Sequence, residues 1–295
     1  MAMTPSRKGS IHLFRVWQVD VYLHWSWFLV AIVQIEYLRD RYTTLVWPVF
    51  EYASLFVIVL MHEFGHALAC RSVGGKADQI VLWPLGGVAF VDPPQRPGAM
   101  LWSIAAGPLV NVALFPLLLV ICLTGSSLGW AQDRPDLFQY LVSLCFIDGG
   151  LLAFNLLPIY PLDGGQILRS LLWYGVGRAR SLMISSTIGF IAVGLLLIFA
   201  IRTPWLIIMG AFVLMNCWGG LRQARVLARM EAAPKHLDQA CPYCHTPPPA
   251  GDFWTCARCR QAFDIYGAHG VCPHCGAQYA QARCAECGQF YDLGH

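Results

Sequence analysis

Long apolar runs with almost no charge, separated by short polar segments, fill the first 230 residues. Six of them approach the ~20 residues that a helix needs to cross a hydrocarbon core: Val21–Leu38, Leu45–Cys70, Met100–Thr124, Leu137–Leu157, Ser181–Ile201 and Pro204–Gly220. Between the second and third, the β-prone runs Ile80–Trp83 and Val88–Val91 flank Pro84-Leu85-Gly86-Gly87. That pattern predicts a short β-hairpin or re-entrant segment. Beyond residue 230 the apolar runs stop and closely spaced cysteines begin.

Composition agrees with a membrane setting. The chain is 57% hydrophobic and 13% charged, against roughly half apolar and a quarter charged in soluble domains. Its basic residues also sort by side. With the N-terminus inside, Arg7, Lys8, Arg15, Arg71, Lys76, Arg96, Arg169, Arg178 and the rest make 16 basic residues inside, against Arg39, Arg41, Arg134 and Arg202 outside. The positive-inside rule therefore predicts that both termini are cytoplasmic.

The tail carries four Cys-x-x-Cys pairs: Cys241/Cys244, Cys256/Cys259, Cys272/Cys275 and Cys284/Cys287. A two-residue gap on a tight turn lets both thiolates reach one tetrahedral ion at about 2.3 Å. In a reducing compartment this spacing reads as zinc binding rather than as disulfides. Sequential pairing, 241/244/256/259 with 272/275/284/287, closes the shortest loops, and a crossed pairing stays open. With four thiolates per ion the two zincs would be structural. The tail is acidic and has no basic stripe, which argues against nucleic acid and for a cytosolic protein partner of the ribbons. Cys70, Cys122, Cys145 and Cys217 fall in apolar runs and read as small core residues.

The expected fold class is thus an all-α polytopic membrane protein of about six transmembrane helices with that hairpin, plus a small cytoplasmic double zinc ribbon. Four segments are expected: an N-terminal segment 1–20, a six-span domain 21–225, a linker 226–240 and the ribbons 241–295.

Span two contains His62-Glu63-Phe64-Gly65-His66. Residues four apart share a helix face, so both imidazoles can hold one metal ion with Glu63 beside it as a general base. Three such residues in a span would cost several kcal/mol facing lipid. A catalytic zinc usually takes a third protein ligand. The candidate is Asp163, in Asn155-Leu-Leu-Pro-Ile-Tyr-Pro-Leu-Asp-Gly-Gly165, where Pro158 and Pro161 break the helix after span four. Asp148, two helical turns before Asn155, is a further intramembrane carboxylate, for which Asn111, His24 or a water path are partners to consider. His24 beside Trp25 reads as a membrane-boundary anchor.

These residues resemble the site-2 protease family of intramembrane zinc metalloproteases, in its six-span sporulation-factor-like branch. The resemblance covers roughly residues 15–225: Tyr22-Leu23-His24-Trp25, the His62–His66 motif, Leu85-Gly86-Gly87-Val88, Ala106-Gly107-Pro108-Leu109-Val110-Asn111, and Asn155 through Arg169. It implies a zinc held by His62, His66 and Asp163, with Glu63 as the catalytic base. It also implies substrate contacts at Asn111, Asn155, Gly86 and Gly87. The expected activity is hydrolysis of a peptide bond within or beside a transmembrane segment of a membrane-protein substrate. The chain would reside in the lipid bilayer of a bacterial cytoplasmic membrane with one catalytic and two structural zinc ions. Where family members carry a nucleotide-sensing domain after span six, this chain has the ribbons. The other reading is a catalytically idle or metal-sensing membrane scaffold whose ribbons recruit a cytosolic partner.

Overall fold

The computed structural model describes residues 9–83, 86–199 and 204–293. Arg7, Lys8, Arg202, Pro84 and Leu85 lie outside them. Among the described residues five helices are long and apolar enough to cross a membrane. They are α2 (Val46–Ser72), α3 (Pro97–Ser127), α5 (Pro135–Asn155), α7 (Arg178–Phe199) and α8 (Pro204–Ala232). Three shorter α-helices accompany them among the described residues: α1 (Ser26–Leu38), α4 (Trp130–Asp133) and α6 (Asp163–Val176).

The first predicted span begins later than its hydropathy suggests. Its opening residues belong to a strand, and the helix α1 has only 13 residues, about 20 Å at 1.5 Å per residue. The reason is a period of two. In β2 (Val19–His24) Val19, Val21 and Leu23 are buried while Asp20, Tyr22 and His24 are less so, the alternation of a half-buried strand. It pairs antiparallel with β1 (Ser10–Val16) and parallel with β3 (Lys76–Trp83), which pairs antiparallel with β4 (Gly86–Asp92). The predicted hairpin is therefore half of a four-stranded sheet, ordered β1-β2-β3-β4 with β4 at one edge. Much of the expected N-terminal segment 1–20 belongs to that sheet as well.

The chain divides into two compact units. One comprises residues up to Pro93, Gly98–Pro158 and Leu162–Ile167. Its core joins Val19, Val21 and Leu23 of β2 and Ile80 and Leu82 of β3 to Val59, Ala67 and Cys70 of α2. A second cluster, Ile58, Leu118 and Leu144, joins α2, α3 and α5. Polar groups in this unit find partners in one another. Tyr140 and Ser54 hydroxyls lie 2.6 Å apart, and the Tyr42 hydroxyl donates to Glu51, a buried α2 carboxylate that the sequence reading did not single out.

The other unit comprises Pro94–Pro97, Ile159–Pro161 and Leu168–His295, so α7, α8 and the cysteine tail cluster together. The predicted linker at 226–240 is helical as far as Ala232. Leu221–Ala232 is rich in Ala, Leu, Arg, Gln, Glu and Met, strong helix formers that carry α8 past its apolar run. The tail repeats one knuckle four times. The N–H of each leading cysteine donates to the carbonyl five residues on, from Cys241 to Thr246, Cys256 to Gln261, Cys272 to Ala277 and Cys284 to Gln289. The residue four after each of those cysteines, His245, Arg260, Gly276 and Gly288, has positive φ. Phe263, Ile265, Tyr266, Tyr291 and Leu293 form the core between the knuckles. Asp264 ties His236, in the segment that follows α8, into the module: burial raises its carboxyl, but the Gly267 N–H, the His236 ring and the Gly251 N–H outweigh that and hold it below the usual carboxylate range.

Candidate metal centre

α2 places His62 and His66 one turn apart on its buried face, with Glu63 between them. Close helix packing aims them. A Cβ on Gly65 would come within 2.6 Å of the Ala106 carbonyl, and one on Gly107 would collide with the His66 imidazole. Only glycine lets α2 and α3 approach this closely. Beyond α5, Pro158 and Pro161 end the helix, and the chain turns back to start α6 at Asp163. A Cβ on Gly164 would collide with the Leu156 carbonyl, so this turn too needs glycine.

Three ligand atoms converge. The two Nε2 atoms lie 3.1 Å apart, and Asp163 Oδ2 is 3.1 Å from His62 Nε2 and 3.4 Å from His66 Nε2. Ligands about 2.0–2.1 Å from a tetrahedral zinc sit about 3.3 Å from one another. Asp163 Oδ2 is buried and aligned in no hydrogen bond, as an atom reserved for a metal would be. The donor set, two imidazoles and a carboxylate, also suits zinc.

Both imidazoles are fixed from behind. His66 Nδ1 lies 2.9 Å from the Ser103 carbonyl, and His62 Nδ1 lies 2.6 Å from Asn111 Oδ1. A carbonyl oxygen can only accept, so each Nδ1 carries the proton and each Nε2 presents its lone pair inward. Asn111 Nδ2 in turn donates to Asp148 Oδ1 at 2.5 Å. Neither Asn111 nor Asp148 has any exposed surface. Of the partners weighed for Asp148, Asn111 is therefore the one it meets. Asn111, expected at the substrate, has both ends of its amide engaged with His62 and Asp148.

Glu63 Oε2 accepts the Ala89 N–H of β4 at 2.8 Å. The other residues expected at the substrate sit at the ends of elements. Gly86 and Gly87 open β4, opposite Trp83 and Leu82, and Asn155 is the partly buried last residue of α5. His24 stacks on Trp83 at 4.1 Å and bonds the Ser26 hydroxyl, consistent with a structural post.

The tail cysteines gather in two further clusters, and their pairing is nested. Cys241 and Cys244 meet Cys284 and Cys287, while Cys256 and Cys259 meet Cys272 and Cys275. Sulfur separations of 3.6–3.7 Å across each cluster match the roughly 3.75 Å edge of a tetrahedron with 2.3 Å zinc–sulfur bonds. Loop length misleads here because closure entropy grows only as its logarithm, by about 0.6 kcal/mol per doubling. Knuckle two caps the hairpin of β5 (Trp254–Thr255) and β6 (Ala262–Phe263), and knuckle four caps that of β7 (Gln281–Arg283) and β8 (Phe290–Asp292). Packing the two hairpins around Tyr266 and Tyr291, whose hydroxyls bond at 2.6 Å, turns each hairpin tip toward a different remaining knuckle.

The sequence pattern of peptidase family M50 matches residues 50–132 and 131–199. A zinc metalloprotease of Methanocaldococcus jannaschii is 31% identical over 222 residues, covering 74% of this chain and 61% of that protein. A Synechocystis protein assigned as a zinc metalloprotease is 30% identical over 245 residues, covering 76% of this chain and 63% of that protein. The chain thus spans less than two thirds of the length of these relatives. Among solved structures, the site-2 protease from Methanocaldococcus jannaschii matches with a TM-score of 0.51 and 28% identity, over 72% of this chain and 95% of that one.

Proposed function

The chain belongs to peptidase family M50, and from that premise we propose that it is a zinc-dependent intramembrane endopeptidase cutting a peptide bond within or beside a transmembrane segment of a membrane-protein substrate. The observation that carries the reading is the convergence of His62, His66 and Asp163 to within 3.4 Å, with Glu63 adjacent, where α2 is long and apolar enough to cross a membrane.

His62, His66 and Asp163 would hold one catalytic zinc, and the two cysteine clusters one structural zinc each. The bound metal would supply Lewis-acid polarisation of the scissile carbonyl and acidify water. Glu63 takes the proton as water attacks and delivers it to the leaving amine. Its Oε2 is held by Ala89, which leaves Oε1 for that transfer. A helical substrate must unwind before its carbonyl is accessible. β4 is an edge strand beside Glu63, so an unwound segment can add to it by backbone hydrogen bonds, entering past Gly86 and Gly87. The basic residues support an orientation in a cytoplasmic membrane with both termini on the cytoplasmic side, where a protein partner would meet the ribbons.

The test is a Glu63→Gln chain expressed in membranes beside the wild type. Proteolysis should stop, and transmembrane proteins should co-purify with the variant alone. Cleavage at the wild-type rate, or a trapped set made up only of soluble proteins, would sink the proposal.

A further inference from the structure

Asp148 is a carboxylate in the middle of α5 with no exposed surface, and its Oδ2 has no hydrogen-bond partner among the described residues. Such a group in a membrane helix costs several kcal/mol unless it serves something nearby. Among the described residues its hydrogen-bond partner is Asn111 Nδ2, 2.5 Å away, on α3. Asn111 is equally buried, and its Oδ1 faces His62 Nδ1 at 2.6 Å.

We infer that Asp148 is a positioning residue for the metal centre, acting through Asn111 to fix the tautomer of His62. The logic is one of donors and acceptors. An amide has two ends, and without a constraint Asn111 could turn either toward His62. A carboxylate can only accept, so Asp148 draws the NH2 end to itself and leaves the carbonyl end for the imidazole. His62 Nδ1 must then carry the proton, and the lone pair on Nε2 faces His66 and Asp163. If the amide turned round, its NH2 would face Nδ1 and favour the opposite tautomer, with a proton on the atom meant for the metal. The outer partners of metal-binding histidines typically change metal affinity 10- to 100-fold when removed. Here that partner is two residues deep, spans two helices, and serves only one of the two histidines. His66 is held separately by the Ser103 carbonyl.

The inference rests on the proposed metal centre, and the experiment separates the two. The full-length chain is labelled with 15N-histidine, loaded with zinc in detergent micelles, and its His62 and His66 signals are assigned by single substitutions. No tail ligand is a histidine, so these signals report the intramembrane site alone. In the wild type both should show a protonated Nδ1 and a metal-bound Nε2. If neither does, the metal centre itself is overturned and the inference falls with it. With the wild type as expected, Asp148→Ala should disturb His62 and leave the His66 tautomer intact. Zinc should leave the site at a 10- to 100-fold lower concentration of competing chelator. Asp148→Asn has the same shape but can donate as well as accept, so it no longer dictates which end of Asn111 turns to His62, and it should disturb His62 as the alanine does. Asn111→Leu should lose the signature, and adding Asp148→Ala to it should change nothing further. The inference is overturned if His62 is unaltered in Asp148→Ala. It is also overturned if His62 and His66 shift together, or if Asp148→Asn keeps the full His62 signature.

Discussion

Ala89 donates its backbone N–H to Glu63 at 2.8 Å, tying the edge strand β4 to the carboxylate proposed as the proton carrier. Because that N–H is used outside the sheet, its loss should spare the pairing of Ala89 with Ile80. Proline is tolerated at an edge position whose N–H faces away from the ladder. Ala89→Pro should therefore keep the sheet and the metal ligands but release Glu63. One hydrogen bond to a charged group contributes about 1.5–3 kcal/mol. Cleavage of a membrane substrate should fall by about 10- to 100-fold at unchanged zinc content. A variant with the wild-type rate would show that the contact does not position Glu63.

Gly107 and His66 set the spacing of α3 against α2. An added methyl at residue 107 has nowhere to go except into the imidazole. Overpacking of this kind costs about 1–3 kcal/mol when the backbone must yield, and here the strain falls on a metal ligand. Gly107→Ala should weaken zinc binding at the membrane site while both cysteine clusters keep theirs. Metal analysis after dialysis against a mild chelator should find one ion fewer of the three that the clusters can hold. Full retention would mean that α3 shifts freely.

How much of this was legible in the sequence depends on the range over which each signal acts. His62, Glu63 and His66 lie within one turn of one helix, so their spacing alone pointed to a shared ion. Asp163 could be nominated because two prolines and two glycines break the chain around it. The Asn111–Asp148 contact was different, since it joins residues 37 apart in sequence on separate helices, and no local period records it. The same holds for Glu51, whose partner Tyr42 lies outside its helix. Hydropathy also hid β1 and β2, because a buried strand and the start of a membrane helix both read as apolar; the alternation in Val19–His24 was the available clue.

Arg178 joins the start of α7 to the tail. Its Nη1 donates to the Ala285 carbonyl at 2.9 Å, inside the fourth knuckle, and its Nη2 donates to Gln95 Oε1 at 2.6 Å. The guanidinium also lies over the Trp173 ring. Lysine could not make these contacts together, since the fork geometry belongs to arginine. Arg178→Ala should loosen the knuckle from α7 without unloading its metal. Limited proteolysis of the chain between Ala232 and Cys241 should speed up by about 10-fold or more, in line with the loss of about 1.5–3 kcal/mol per charged hydrogen bond. An unchanged digestion rate would mean that other contacts hold the module.

The nested cysteine pairing makes a prediction that sequential pairing contradicts. Cys241 and Cys287 belong to one cluster, although they begin the first knuckle and end the last. In the nested arrangement, Cys241→Ser with Cys287→Ser in one chain damages a single site, and Cys256, Cys259, Cys272 and Cys275 keep their ion. In a sequential arrangement the same two substitutions would remove one ligand from each of two sites. Cys241→Ser with Cys259→Ser reverses the expectation, striking both nested sites but only one sequential site. Structural four-thiolate sites tolerate ligand loss poorly, because their binding energy is also the folding energy of the module. Zinc per chain, measured on both double variants after dialysis, should therefore be higher by one ion for the 241/287 pair than for the 241/259 pair. The opposite order would establish sequential pairing and place the two hairpins differently around Tyr266 and Tyr291.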